Sequence, residues 1–150
     1  MLQLLEFLAA MSASLFAGAA LYINVAEHPA RMTLDTSAAA TVWAPSYKRA
    51  TWLQAPLAVL SLVTGLAACA LGGGARWGIA ALLMGSVVPF TFIGIMPTNN
   101  RLLAPDRDLA SAETRSLLGK WARLHLVRTV LSAMASGLYL WILTIHRGVP

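Results

Sequence analysis

The chain has 150 residues, of which 58% are hydrophobic and only 11% are charged. Soluble globular proteins carry about 25% charged residues, so this chain has too few to cover its surface in water, and its mean hydropathy of +0.68 agrees. These values exclude a disordered tail, a disulfide-stapled secreted module and an ordinary cytosolic enzyme. A single cysteine, Cys69, also excludes an internal disulfide and a CxxC redox pair. The composition is that of an integral membrane protein.

Four stretches contain no Asp, Glu, Lys, Arg or His: residues 7–26, 51–75, 77–100 and 129–145. The first three exceed the roughly 18 residues that mark a transmembrane helix, and the fourth reaches that length if its helix begins near Trp121. Helices satisfy their own backbone groups in lipid. We therefore predict an all-α, single-domain transmembrane four-helix bundle over residues 1–150, with helices at about 4–27, 51–71, 77–97 and 119–146. The first is interpreted as a retained helix and not a signal peptide, because no Lys or Arg precedes Arg31.

The connections between these helices differ in length. Residues 27–50 and 101–120 form two long loops, whereas only Gly72-Gly73-Gly74-Ala75-Arg76 separates the second helix from the third. Such a short turn predicts that these two helices are antiparallel neighbours. Small residues recur every four positions on the first and fourth helices and predict close helix contacts there; they are Ala10, Ser14 and Gly18, and Ala133 and Gly137.

The net charge of +5 is distributed unevenly. The two long loops carry Arg31, Lys48, Arg49, Arg101, Arg107, Arg115 and Lys120, whereas the opposite side carries only Arg76 and Arg147. Basic residues accumulate on the cytoplasmic side of membrane proteins. We therefore expect a bacterial inner-membrane protein with cytoplasmic loops and both termini outside, and we expect its positive charge to reflect topology and not nucleic-acid binding.

Polar and aromatic residues concentrate at the loop-side ends of all four helices. The set comprises Asn24, His28, Arg31, Trp43, Tyr47, Trp52, Gln54, Asn99, Asn100, Trp121, His125 and Arg128. Trp121, His125 and Arg128 are spaced i, i+4 and i+7, which places them on one helix face. Ionisable residues at membrane depth normally face the bundle interior or a water-filled cavity. The pattern predicts a binding or catalytic site at this membrane face. For Trp43, Trp77 and Trp141 we favour interfacial anchoring, and Trp43 is also kept among the candidate binding residues.

A metal or haem site is an alternative interpretation of the same residues. Glu27, His28 and His125 could form a two-histidine, one-carboxylate set for mononuclear iron or copper. The two histidines could also clamp a haem near one membrane face. Glu27 and His28, however, point in different directions if both belong to one helix, which argues against the metal set.

Three motifs carry a family resemblance: Glu27-His28-Pro29, Pro97-Thr98-Asn99-Asn100, and Trp121 with His125 and Arg128 in the pattern W-x-x-x-H-x-x-R. Together with the segment Trp43-Ala44-Pro45-Ser46-Tyr47, they show that the chain resembles the anthrone-oxygenase-like family of small four-helix membrane proteins. The resemblance implies oxidation of an anthrone-like or phenolic compound by O2 without a cofactor. The implied partners are a lipophilic small-molecule substrate, O2 and membrane lipids.

Such a reaction needs a base, donors for a developing oxyanion and a flat apolar pocket. His125 or His28 can be the base, because an unperturbed imidazole titrates near pH 6.5. Oxyanion donors are available in Arg128, Arg31, Asn99 and Asn100. Rings that can stack on a polycyclic substrate are those of Trp43, Tyr47, Trp52 and Trp121. Asn24 and Gln54 complete the expected binding set.

The residues leave other functions open. A non-catalytic membrane protein that binds a small molecule, a quinone or a lipid would also need an aromatic, arginine-rich face. A haem- or metal-dependent redox protein is a further alternative, and a homo-oligomer is compatible with all of these. An absorption spectrum and oxygen uptake would discriminate between them.

Overall fold

The computed structural model describes residues 1–146, and within them every regular element is helical. Four helices are long and apolar enough to cross a membrane: α1 (Leu2–Arg31), α2 (Thr36–Gly73), α3 (Ala75–Leu102) and α4 (Ala112–His146). The predicted fold class, an all-α bundle with four membrane-spanning helices, is confirmed. Arg147, which the charge count placed on the terminal side, lies outside the described residues.

Each helix packs against two neighbours around the bundle. α1 contacts α2 and α4, and α3 contacts the same two helices, while α1 and α3 barely touch across the centre. Residues 32–35 and 103–111 connect the helices at one end, and the glycine hairpin connects them at the other. Arg115 at the start of α4 donates to the backbone oxygen of Leu34 at 2.9 Å, which ties α4 to the connection between α1 and α2.

The helices extend well into the segments that the sequence left as long loops. α2 begins at Thr36 and not near residue 51, and Asp35 caps it by accepting from the backbone N–H of Ala38 at 2.9 Å. α4 begins at Ala112 and not at 119. A search for uncharged stretches detects only the part of a helix inside hydrocarbon, about 30 Å thick. These helices continue beyond that length with polar residues, so Trp43 and Tyr47 lie on a helix and not in a loop.

The hairpin between α2 and α3 requires glycine. Gly72 and Gly74 adopt φ angles of +96° and +91°, in a region that side chains other than glycine rarely enter. The expected tight turn and the antiparallel pairing of α2 and α3 are both present.

Two buried cores lie at different depths. The alanine core occupies the hairpin-side half and consists of Ala9, Ala10, Ala13, Phe16, Ala20, Ala58, Ala68, Trp77, Ala80, Ala81, Met84, Val87, Ala135, Tyr139 and Ile142. The aromatic core occupies the loop-side half and consists of Ile23, Ala39, Ala40, Trp43, Ile95, Leu102, Leu117, Leu118 and Trp121. Small residues let the helix backbones approach closely in the alanine core.

The small-residue pattern predicted the wrong helix faces in part. Gly18, Ala133 and Gly137 are exposed, whereas Ser14 is half-buried and its hydroxyl lies 2.8 Å from that of Ser136. The α1–α4 contact is made by neighbouring positions of the same helices. The prediction failed because alanine is so frequent here that four-residue spacing alone does not identify the contacting face.

The outer surface is apolar, as a lipid-facing surface must be. Large exposed side chains include Leu15, Val25, Val59, Val63, Ile79, Leu82, Phe92 and Ile93. Trp43 and Trp77 are fully buried, so interfacial anchoring is wrong for both: each fills a core position between helices. Trp141 is exposed, as an anchor would be.

Candidate functional site

A polar cleft opens between α1, α2 and α4 at the boundary of the two cores. Its lining comprises Ile23, Glu27, Arg31, Ser46, Tyr47, Ala50, Thr51, Gln54, Trp121, His125 and Arg128. Six of these residues belong to the predicted loop-side set, namely Arg31, Tyr47, Gln54, Trp121, His125 and Arg128. The bundle therefore brings half of the twelve predicted residues to one place.

His125 is held in one orientation by Asn24. The imidazole is 1% exposed, and its Nδ1 lies 2.8 Å from the amide oxygen of Asn24. The Asn24 amide is itself fixed, since its nitrogen donates to the backbone oxygen of Ala122 at 3.2 Å and its oxygen accepts from the Thr129 hydroxyl at 2.6 Å. An amide oxygen only accepts, so Nδ1 of His125 carries the proton. The lone pair is then on Nε2, in a residue that lines the cleft.

Arg128 places a positive charge at the inner wall of the cleft. One terminal nitrogen donates to the side-chain oxygen of Gln54 at 2.8 Å, and the guanidinium lies 5.2 Å from the centre of the Phe16 ring. Arg128 is 9% exposed and forms no ion pair with any carboxylate in the described part of the chain. A buried arginine without an acidic partner is suited to stabilise a negatively charged ligand group.

Aromatic rings form a continuous packed group beside the cleft. Trp43 stacks on Tyr47 with ring centres 5.2 Å apart, and Trp121 stacks on His125 at 4.9 Å. Trp43 and Trp121 pack edge to face, with ring centres 5.8 Å apart. The ring centre of His28 lies 5.7 Å from that of Trp121. The rings support the His125 imidazole from one side.

Arg31 and Glu27 form an ion pair at the outer edge of the cleft. Arg31 is buried and donates to the Glu27 carboxylate, which also accepts from the Ser46 hydroxyl. Glu27 is therefore occupied by groups of α1 and α2. Among the described side chains of residues 1–145, no three of His, Cys, Asp or Glu converge to hold a metal ion, so Glu27, His28 and His125 do not form such a set.

Besides Asn24 and Trp43, four more predicted residues do not line the cleft. Trp52 is 84% exposed on the outer surface of α2, since it is two residues from Gln54 and thus on the other side of the helix. Asn100 is exposed next to buried Asn99, neither of whose side-chain polar atoms has a partner among the described residues. His28 is buried against Trp121 and does not line the cleft.

Some residues of the site were missed from the sequence. Thr129, which holds the Asn24 amide, had a detectable signal, because it follows His125 by one helical turn and so lies on the same helix face. Ser46 sits inside one of the quoted motifs. Phe16, whose ring lies under the Arg128 guanidinium, gave no signal in the sequence, since a phenylalanine in an apolar helix looks like any other core residue.

Comparison with known proteins gives a consistent result. The family model described as anthrone oxygenase matches residues 43–138. The chain is 43% identical over 68 residues to the anthrone oxygenase tpcL of Aspergillus fumigatus, an alignment that covers 43% of this chain and 42% of that protein. The chain thus spans less than half the length of this relative. No solved structure matches.

Proposed function

Because the chain belongs to the anthrone oxygenase family, as the motifs indicated, we propose that it is a membrane-embedded oxygenase that oxidises a lipophilic phenolic or anthrone-like compound with O2. Family membership itself suggests oxygenase-type chemistry. The substrate class, the cofactor-free route and the assisting histidine are our proposals, and the polar cleft supports them.

The observation that carries the proposal is the pair formed by His125 and Asn24 beside Arg128. The Asn24 amide fixes the imidazole with its basic nitrogen free, and Arg128 supplies a buried positive charge in the same cleft. A base and an oxyanion-stabilising cation in one poorly solvated site suit removal of a proton next to a carbonyl group.

The proposed reaction begins at a CH2 group acidified by a neighbouring carbonyl and flanking rings. His125 takes the proton, and the electrons of the broken C–H bond delocalise onto the carbonyl oxygen, whose negative charge Arg128 stabilises. This electron-rich anion transfers one electron to O2, and the resulting radical pair combines to form a C–O bond. Protonation by the histidine gives a hydroperoxide. Loss of water from it leaves a new carbonyl, so that one oxygen atom enters the product and the other becomes water.

The geometry favours His125 over His28 as the base. His125 lines the cleft and has a partner that fixes its protonated nitrogen, whereas His28 is buried outside the cleft and its Nδ1 has no partner among the described residues. A base must reach its proton within hydrogen-bonding distance. We assign His28 to packing against Trp121.

The experiment is oxygen uptake by the purified, metal-free protein with anthrone as substrate. His125→Ala should slow turnover on the order of 100-fold or more, and His28→Ala, the matched control, should slow it far less. If chelation abolishes activity and iron or copper restores it, the cofactor-free route is wrong. Equal activity of His125→Ala and the unmodified protein would reject His125 as the base.

We also propose the orientation expected from the charges, with the loop-side connections in the cytoplasm of a bacterial cell. In a Cys69→Ala background, Lys48→Cys and Arg76→Cys place one thiol on each side of the bundle. A membrane-impermeant maleimide added to intact spheroplasts should label Arg76→Cys and not Lys48→Cys. The reverse labelling would place the cleft on the outer side.

A further inference from the structure

A second cavity lies next to the polar cleft and opens sideways between α2 and α3. This apolar groove has a volume of about 120 Å³ and is lined by Phe16, Tyr47, Thr51, Ala55, Ala58, Val87, Val88, Thr91, Phe92, Met96 and Arg128. Ala55 and Phe92 at its mouth are exposed on the lipid-facing surface of the bundle, Phe92 to 64%. The mouth of the groove therefore faces hydrocarbon and not water.

The groove ends on residues that it shares with the polar cleft. Tyr47, Thr51 and Arg128 line both cavities, so the two cavities are direct neighbours. Apart from Arg128, the walls consist of apolar and aromatic side chains and two threonines. A molecule that entered from the membrane would meet Arg128 as the single charged group of the groove.

Arg128 and Gln54 leave two buried donors unused at this junction. The Nε of Arg128 and the side-chain nitrogen of Gln54 have no hydrogen-bond partner among the described residues, although both are buried. Their mutual hydrogen bond uses a different nitrogen of Arg128 and the oxygen of Gln54. Buried polar groups are normally paired, and an unpaired donor costs about 1–3 kcal/mol. A cation and two free donors together are complementary to an anionic oxygen.

We propose that the apolar groove is a lateral entrance from the bilayer and the binding site for a lipophilic aromatic acid or acidic phenol. The apolar ring system lies in the groove, and the ionised oxygen contacts Arg128. This inference deepens the proposed function, on which it rests for its biological meaning, because it specifies the substrate class and the route of entry. It does not depend on catalysis, since binding alone tests it.

The geometry also explains why such a site would open into lipid. A polycyclic phenol partitions strongly into membranes, because burial of its apolar surface is favourable. An entrance through the cytoplasmic end would require it to return to water first. A side opening between two helices lets the ring system stay in an apolar environment while only its acidic oxygen reaches the polar cleft.

The test uses two fluorescent probes with the same ring system in nanodiscs containing the full chain. Anthracene-9-carboxylate carries an anionic oxygen and 9-methylanthracene does not. The carboxylate should bind about tenfold more tightly relative to its partition into empty nanodiscs, as expected for a charge-assisted hydrogen bond. Arg128→Gln should remove this preference, and Arg128→Lys, which keeps the charge, should retain part of it.

The groove itself is tested by narrowing its mouth. Ala55→Trp should weaken binding of both probes about tenfold or more, whereas Val63→Trp should change neither. Val63 lies on the same helix, is equally lipid-facing and does not line the groove. Both substitutions are at exposed positions, so the bundle should fold in each case, and thermal unfolding checks this.

The outcomes separate this inference from the proposed function. If Ala55→Trp binds both probes as the unmodified chain does, the groove is not the site. If the two probes bind alike, Arg128 does not select an anion, and the inference is overturned. If the probes behave as expected but no phenol or anthrone supports oxygen uptake, the binding site stands and the oxygenase proposal fails.

Discussion

The alanine core and the polar cleft show two opposite ways of filling the same bundle. In the alanine core, small side chains bring the helices together, and Tyr139 even donates its buried hydroxyl to the backbone oxygen of Ser61. Around the polar cleft and the aromatic core, buried polar atoms are left without partners. Of all such atoms among the described side chains of residues 1–145, only the Trp77 indole nitrogen belongs to the alanine core. Unpaired groups are costly, so their concentration in one half supports the proposal that this half binds a ligand, while the other half stabilises the bundle.

The helices change their winding where the two halves meet. Residues Ile23–Glu27 of α1 and Thr91–Ile95 of α3 form π-helical turns. Asn24, which fixes His125, lies in the first, and Thr91, which lines the apolar groove, lies in the second. Such wider turns occur frequently at functional sites, because the added residue displaces side chains from the regular helical face.

The largest effect that separates the halves is expected at Asn24, which holds His125 from behind the cleft. Asn24→Ala removes the acceptor that orients His125, and kcat should fall on the order of 10- to 100-fold because the base is no longer aligned. KM should change little, since Asn24 does not line the cleft. Asn24→Asp keeps an acceptor for Nδ1 but loses the donor to the backbone oxygen of Ala122, so it should recover part of kcat. The measurement is steady-state oxygen uptake with anthrone.

The adjacent exposed position provides the control for Asn24. Val25→Ala changes a lipid-facing side chain in the same π-helical turn and should leave kcat unchanged. If Asn24→Asp is as inactive as Asn24→Ala while both unfold at the same temperature as the unmodified chain, orientation of His125 by an acceptor is not the role of Asn24.

A second effect is expected in the alanine core and concerns stability. A Cβ added at Gly65 would lie 2.1 Å from the Tyr139 hydroxyl oxygen and 2.9 Å from the Ala81 Cβ, so neighbouring helices would have to shift. Gly65→Ala should destabilise the bundle by about 1–3 kcal/mol. Gly137→Ala, where nothing lies within 4 Å of the added carbon, should be neutral or stabilising by up to about 1 kcal/mol.

Thermal unfolding in detergent measures the stability of both glycine variants. Oxygen uptake per folded molecule then shows whether a change in the alanine core alters activity in the cleft. Activity of folded Gly65→Ala should equal that of the unmodified chain. A loss of kcat without loss of stability would show that the alanine core and the cleft are not separate in function.

Much of the site could be predicted from the sequence, because the topology was predictable. Four apolar stretches and one short turn force the loop-side helix ends together, and the spacing of Trp121, His125 and Arg128 places them on one face. These arguments use only helical periodicity and the length of a membrane-spanning segment. They hold wherever the helix is regular.

The remaining features depend on the rotation of each helix about its axis and on contacts between helices. The spacing of residues in one sequence gives no information on either. The beginning of α2 at Thr36 was missed because polar residues outside the hydrocarbon layer can continue a helix. Gly18 and Gly137 were placed at contacts but are exposed. The apolar groove was not predicted as a cavity, since apart from Tyr47 and Arg128 its walls come from residues that look like ordinary core or lipid-facing positions.

The smallest expected effect is at Trp52, which the sequence placed among the stacking residues. Its side chain is 84% exposed on the outside of α2, away from both the polar cleft and the apolar groove. Trp52→Leu should therefore leave kcat and KM for anthrone unchanged, because the substitution exchanges one lipid-facing apolar side chain for another. Tyr47→Leu, on the same helix but in the lining of both cavities, should raise KM several-fold by removing a ring at their junction. If Trp52→Leu raises KM as much as Tyr47→Leu does, the substrate contacts the outer surface of α2, and the boundary between lipid-facing surface and binding site must be moved outward.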